Sequence, residues 1–152
     1  MNMASNYKVN QNLMPIENTF IISKIERIKE SINKIKSKLQ FSDEEILRSD
    51  DHLAVLERNF QLIVDYAIDI NHHFIKEGGY GIPDDLQSTF TALGEHNILP
   101  KEFADKIGRS VGLRNRIVHQ YEDVKPAVFV ESLRKNIGDY DEYIKHILSN
   151  IK

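Results

Sequence analysis

Two long stretches with apolar residues at every third or fourth position limit this chain's fold more than any other feature. The first carries a row of isoleucines closed by a leucine, Ile21, Ile25, Ile28, Ile32, Ile35 and Leu39. The second repeats the spacing with Leu53, Leu56, Phe60, Ile63, Ala67, Ile70 and Phe74. This spacing places the apolar side chains on one face of an α-helix. We therefore predict two long helices that pack antiparallel through these faces.

Prolines and glycines mark where the remaining helices begin and end. Gly78 and Gly79 close the second long helix, because glycine accepts the left-handed conformation that follows a helix C-terminus. The chain then predicts a short helix over 84–94, a fourth over 100–119, and a fifth from Pro126 with apolar residues up to Ile147. No extended strand alternation is present. The predicted fold class is all-α, an antiparallel bundle of about five helices, two of them long.

The domain organisation follows from the same patterns. Residues 1–15 are polar and lack a helical period, so we expect a flexible N-terminal arm there. Residues 16–152 then form a single helical domain. A polar stretch from Ser42 to Glu45 joins the two long helices, and Ser42 is a plausible N-cap.

Composition excludes several classes of protein. The chain has no cysteine, so neither a disulfide framework nor a thiolate metal site is expected. No apolar run reaches the ~20 residues of a membrane span, and no signal peptide is recognisable. Asp69 and His72 share a helix face, but a metal site in a bundle needs a second such pair, which the sequence lacks. We expect a cytoplasmic protein without membrane association, metal or cofactor.

Charge is distributed unevenly along a chain whose net charge is -3. Residues 24–38 hold six Lys or Arg against two acids, 43–57 hold six acids against one Arg, and 101–116 hold five Lys or Arg against two acids. Ordinary solvated helix faces explain the first two blocks equally well. The third block surrounds Arg114 and His119, where its field favours a phosphate group.

Arg114 and His119 are the residues most able to carry chemistry. Arg114 interrupts the apolar face of the predicted fourth helix, so its guanidinium needs a carboxylate, a subunit boundary or an anion-binding cleft, or must extend to water. His119 lies five residues later, about 140° around a regular helix. Either the helix ends near His119, or two subunits assemble the site across a twofold axis. Gly108 and Gly112, one turn apart, indicate close packing within the bundle or at a dimer contact.

The run from Gly112 to Tyr121 resembles the HEPN superfamily, and within it the HepT toxins, through Arg-Asn-x-x-x-His-x-Tyr at positions 114–121. The similarity covers roughly residues 53–124. The resemblance implies a homodimer in which Arg114 and His119 cut RNA, an mRNA or a tRNA, without a metal. It also implies that a cognate MntA-like nucleotidyltransferase antitoxin restrains the nuclease by attaching AMP to Tyr121.

The expected roles fit the chemistry of RNA cleavage. The 2'-hydroxyl is the nucleophile, so the site needs a base, an acid and a cation; histidine titrates near neutral pH and arginine binds phosphate oxygens. Asn115 and Arg116 are candidates for binding phosphate or orienting the imidazole. Asp69 is the candidate for orienting Arg114, since HEPN proteins often bring a charged residue from this helix.

Two further interpretations remain open. The chain could be a non-catalytic subunit that presents a substrate or nucleotide to the nucleotidyltransferase. A dimeric bundle without any ligand explains the composition, but it does not explain an arginine on an apolar face.

Overall fold

The computed structural model describes residues 2–119 and 124–151, with side chains from residue 18 onward. This part of the chain forms seven helices: α1 Asn2–Lys38, α2 Asp43–Leu47, α3 Asp50–Gly78, α4 Gln87–Glu95, α5 Lys101–His119, α6 Pro126–Asn136 and α7 Gly138–Ser149. No strand occurs among the described residues. The predicted all-α bundle is confirmed, with seven helices where the sequence suggested about five.

The two long helices, α1 and α3, pack antiparallel as predicted. Near the start of the described side chains, Phe20 stacks on His73 with ring centroids 5.2 Å apart. At the opposite end, Phe41, just beyond α1, stacks on His52 at the start of α3, 4.4 Å away. The isoleucine row from Ile21 to Ile35 is buried between them. Burial of this apolar area is the main source of stability for the pair.

The connection between these helices contains the short helix α2. Ser42 is its N-cap: Ser42 Oγ accepts from the Glu45 N–H at 3.1 Å, and Glu45 Oε1 accepts from the Ser42 N–H at 3.2 Å. Ser49 caps the long helix α3 instead, accepting from the His52 N–H. The predicted capping role of Ser42 is therefore correct, but it serves α2.

The ends of α3 and α4 follow local signals. Gly79 adopts φ 65°, the left-handed conformation that stops α3. Helix α4 begins at Gln87, three residues later than predicted, because Asp85 folds the preceding turn. Its Oδ1 accepts from both the N–H and the hydroxyl of Ser88, at 2.8 and 2.7 Å.

The predicted fifth helix is two helices, α6 and α7, which meet at Ile137. The apolar spacing continues through the break, so periodicity alone does not reveal it. Gly138 lowers helix propensity at this point, and the Tyr140 N–H bonds the Ile137 carbonyl at 3.2 Å, three residues back. Asn136 also turns its side-chain amide back to the Ser132 carbonyl at 3.0 Å.

At the N-terminus, helix α1 begins at Asn2. The segment 2–15 is therefore helical where the sequence predicted a flexible arm. The flexibility of that segment and the domain boundary at residue 16 stay predictions.

Close packing of α4 on α5 fixes the position of the motif helix. A Cβ added to Gly94 would lie 2.7 Å from the Ala104 Cβ, and one added to Gly108 would lie 3.4 Å from the Gln87 Cγ. Gly108 therefore serves packing within the bundle, one of the two roles that the sequence left open for it.

A buried polar network connects α3, α4 and α7. The Tyr143 hydroxyl lies 2.6 Å from Asn71 Oδ1, and Asn71 Nδ2 donates to the Thr89 hydroxyl at 3.1 Å. Burial raises the pKa of Tyr143 well above its ordinary value. The satisfied network fixes the relative register of the three helices.

Candidate active site on the motif helix

Arg114 on α5 forms a two-point ion pair with Asp65 on α3. Its Nε lies 3.0 Å from Asp65 Oδ1 and its Nη2 lies 3.3 Å from Oδ2. The Arg114 side chain is 19% exposed and that of Asp65 is 36% exposed. The carboxylate is the partner that an arginine on an apolar face requires, and the fork geometry fixes the plane of the guanidinium.

The prediction that Asp69 orients Arg114 is wrong, because Arg114 pairs with Asp65. Asp69 Oδ2 instead accepts from Lys24 Nζ of α1 at 3.0 Å, and the same ammonium lies 5.3 Å from the centroid of the Tyr66 ring. Asp65 and Asp69 are one turn apart on α3 and share a face. The sequence identified the helix and the face, but the level at which α5 crosses α3 decides which carboxylate meets Arg114.

Asn115 supports the same arginine. Its Oδ1 accepts from Arg114 Nη1 at 3.2 Å. Because a guanidinium can only donate, the Asn115 side-chain oxygen must be the atom that faces Arg114. The N–H groups of the Asn115 amide then remain as donors to another acceptor. The predicted roles of Asn115 in binding phosphate or orienting the imidazole stay predictions.

His119 is the last residue of α5, and its side chain is exposed. Since α5 stays helical throughout, His119 points about 140° away from Arg114 around the axis. It shares a helix face with Asn115, one turn earlier. Arg116 is also exposed. Tyr121 lies outside the described residues, so its predicted role as the AMP acceptor stays a prediction.

An open cleft of about 480 Å³ borders this face of α5. Its lining includes Asn115 and Gly112 of α5, His72 of α3, the loop residues 83–86 and Gln87, the first residue of α4. A Cβ added to Gly112 would meet nothing within 4 Å, so the surface around this glycine is open. His72 is a cleft residue to which the sequence assigned no role in the nuclease site.

The acidic side of this cleft is the loop before α4. The hydrogen bonds from the side chain and backbone of Ser88 lower the pKa of Asp85. Among the described residues, no three His, Asp or Glu side chains lie close enough together to hold a metal ion.

None of the helices in the described part of the chain is long and apolar enough to cross a membrane.

Comparison with solved structures defines the class of protein. A tri-AMPylated Shewanella oneidensis HEPN toxin in complex with an MNT antitoxin matches with a TM-score of 0.81 and 26% identity, over 86% of this chain and 98% of that chain. This helical bundle, with an arginine and a histidine on its motif helix, places the chain in the class of HEPN ribonuclease toxins of toxin–antitoxin pairs.

Sequence comparisons identify the family within that class. The tRNA nuclease HepT of Aphanizomenon flos-aquae is 33% identical over 134 residues, 88% of this chain and 91% of the relative. The mRNA nuclease HepT of Shewanella oneidensis is 29% identical over 128 residues, 84% of this chain and 95% of the relative. Residues 28–147 match the family described as Ribonuclease HepT-like. The chain therefore belongs to the HepT-like ribonuclease family, as its motif predicted.

Proposed function

We propose that this ribonuclease toxin works as a homodimer in which Arg114 of one subunit and His119 of the partner subunit share one cleft. The observation that carries the proposal is the fixed Arg114, bonded to Asp65 and Asn115, on a helix whose His119 faces another direction. Residues 114 and 119 leave the axis of α5 about 140° apart, so one α5 does not direct both side chains toward the same side. A second copy, related by a twofold axis, supplies the missing group.

The cleavage step needs only groups that such a dimer provides. The ribose 2'-oxygen attacks the adjacent phosphorus, the bond to the 5'-oxygen breaks, and a 2',3'-cyclic phosphate and a 5'-hydroxyl result. His119 takes the proton from the 2'-hydroxyl, and the resulting imidazolium gives a proton to the leaving 5'-oxygen, so the protons balance. Arg114 stabilises the added negative charge on the phosphorane. This reaction requires no metal.

The proposed partner is a cognate MntA-like nucleotidyltransferase antitoxin. The solved complex of a tri-AMPylated HEPN toxin with its MNT antitoxin supports this assignment. In this chain the acceptor would be the Tyr121 hydroxyl, whose oxygen attacks the α-phosphorus of ATP and releases pyrophosphate. The adenylate adds negative charge and bulk two residues from His119, which blocks RNA and neutralises Arg114.

The proposed substrate is RNA in the cytoplasm, either an mRNA or a tRNA. The two HepT relatives carry the names of an mRNA nuclease and a tRNA nuclease, which favours catalysis over the alternative of a non-catalytic subunit.

Purified wild-type chain, incubated with mRNA and tRNA in EDTA, tests the activity directly. We expect cleavage products that end in a 2',3'-cyclic phosphate, and no products with His119→Ala. Cleavage that stops in EDTA, or that survives in His119→Ala, would contradict the proposed mechanism.

A further inference from the structure

A second groove, on the opposite side of α5 from the cleft, has a basic rim. It has a volume of about 440 Å³ and lies between α5 and the α6–α7 pair. Its rim carries Lys106, Arg109 and Arg116 from α5 and Lys135 from α6. Asp139 is the one carboxylate among the described residues that line it. We refer to this surface as the α5–α6 groove.

Most of the positive charge in the α5–α6 groove is not neutralised. Lys106 is paired with Asp139 at 3.2 Å. Arg109, Arg116 and Lys135 are exposed, and none of them forms an ion pair within the described residues. Three such cations on one surface of a chain with net charge -3 create a local positive field that attracts polyanions.

The cations on α5 form a row that leads toward His119, the last residue of the helix. Lys106, Arg109 and Arg116 follow one another at spacings of three and seven residues, so they lie along one side. His119 comes three residues after Arg116, at the end of the same helix. From Lys106 to His119 the helix advances about 20 Å. A strand lying in the groove would therefore run toward His119.

The polar lining residues suit a phosphate backbone, and among the described residues the groove offers no ring for a stacked base; the rest of its lining is apolar and includes Val128, which is 55% exposed. Half-buried Ser110, Ser132 and Asn136 are the polar, uncharged residues of the lining. The Ser110 hydroxyl and the Asn136 amide already form hydrogen bonds within the bundle, so the exposed cations are the groups left to bind a phosphate. The aromatic rings in its floor, Phe60 and Tyr140, are only 5% and 3% exposed, so neither offers a face on which a base could stack. Protein interfaces also place exposed aromatic residues at their centre. The described aromatic residues that line this groove are buried, which argues against a protein partner.

We propose that the α5–α6 groove binds the sugar-phosphate backbone of single-stranded RNA that flanks the cleaved bond. This proposal rests on the ribonuclease function and extends it, since it assigns a path to the substrate beyond Arg114 and His119. Contacts of this kind depend on charge and carry no base specificity. The groove thus contributes affinity for RNA, and Arg114 and His119 determine where the strand is cut.

Binding of a strand that cannot be cleaved tests the proposal. The probe is a single-stranded 2'-O-methyl RNA, which lacks the nucleophile, titrated against the full chain at several salt concentrations. The test variant is Arg109→Gln with Lys135→Gln; the control is Lys29→Gln with Lys34→Gln, which removes the same charge from exposed positions on α1.

We expect the test variant to lose about tenfold or more in affinity at low salt, and the slope of log affinity against log salt to flatten by about 0.7 for each cation removed. The control should match the wild type. Equal slopes for the wild type and the test variant would overturn the proposal. So would normal RNA binding by a test variant that escapes neutralisation by the antitoxin, because the groove would then be a protein-binding surface.

Cleavage of unmodified RNA by the same proteins separates this proposal from the function on which it rests. A wild-type chain that cleaves RNA, while the test variant binds the probe normally, contradicts the groove alone. A wild-type chain that binds the probe through the groove but cleaves nothing contradicts the ribonuclease function alone.

Discussion

Arg114 and Asp65 join α5 to α3 through two parallel hydrogen bonds, Nε to Oδ1 at 3.0 Å and Nη2 to Oδ2 at 3.3 Å. The remaining nitrogen of the guanidinium, Nη1, donates to Asn115 Oδ1. Together these bonds fix the orientation of the guanidinium before any substrate binds. A preorganised cation stabilises developing charge without reorganising during the reaction. Asp65 is therefore a positioning residue for the arginine of the motif.

The first prediction concerns this positioning role. Asp65→Asn should lower kcat for RNA cleavage about tenfold, a loss of ~1.4 kcal/mol in transition-state stabilisation, because the guanidinium loses its fixed plane. KM should change little, since the positive charge remains. Asp69→Asn is the matched control, one turn away on the same face. An equal loss in both variants, or a change confined to KM, would show that Asp65 does not position Arg114.

The second prediction concerns the two motif residues themselves. His119→Ala and Arg114→Ala should each abolish RNA cleavage and growth inhibition. His119 is the exposed last residue of α5, so its variant should keep the helical fold. Arg114→Ala should cost about 1 kcal/mol, because it removes a part-buried ion pair. Circular dichroism and thermal melting accompany the assay. Loss of activity that merely tracks loss of fold would remove both residues from the site.

The third prediction concerns Tyr121 and the antitoxin. Incubation of the wild-type toxin with the antitoxin and ATP should add the mass of AMP to the chain and silence cleavage. Tyr121→Phe should keep much of the nuclease activity, because the hydroxyl has no role in proton transfer, yet it should gain no mass. An equal mass gain on the Phe variant would place the acceptor elsewhere.

The fourth prediction concerns the buried network and its dependence on pH. Tyr143→Phe should lower the free energy of unfolding by about 1 to 3 kcal/mol, because it leaves the buried Asn71 oxygen without its donor. Tyr66→Phe is the control. The Tyr66 hydroxyl forms no hydrogen bond among the residues that the structure describes. Urea unfolding of the two variants compares their free energies of unfolding.

The raised pKa of Tyr143 sets the direction of the pH effect. The unfolded chain begins to release this proton near pH 10, the ordinary value for tyrosine, whereas the folded chain keeps it. Stability should therefore be complete below that pH and fall as the pH rises above it. Tyr143→Phe should show a shallower alkaline decline than the wild type, and an unchanged decline would contradict the assigned burial effect.

The helices could be predicted from the sequence wherever local signals decided them. The apolar spacing and Gly79 defined α3, and Pro100 together with the spacing defined α5, because these signals act within a few residues of the chain. The break at Ile137 was missed, because Leu133, Ile137, Tyr140 and Ile144 keep a helical period across it.

The candidate site was only partly predictable for a related reason. The sequence showed that Arg114 needed a partner, but the choice of Asp65 over Asp69 depends on the level at which two helices cross. The basic block over 101–116 was visible in the sequence, whereas the addition of Lys135 to it required the fold to place α6 across a groove from α5. Tertiary offsets of one helical turn leave no local signal in a sequence.

Mixing two inactive variants tests the shared cleft most directly. Arg114→Ala and His119→Ala chains, unfolded together and refolded, should give mixed dimers that retain Arg114 on one chain and His119 on the other. A composite site predicts that cleavage returns in the mixture to a substantial fraction of the wild-type rate, while each variant refolded alone stays inactive. Activity in the mixture no greater than the sum of the two separate variants would mean that each site is built within one chain.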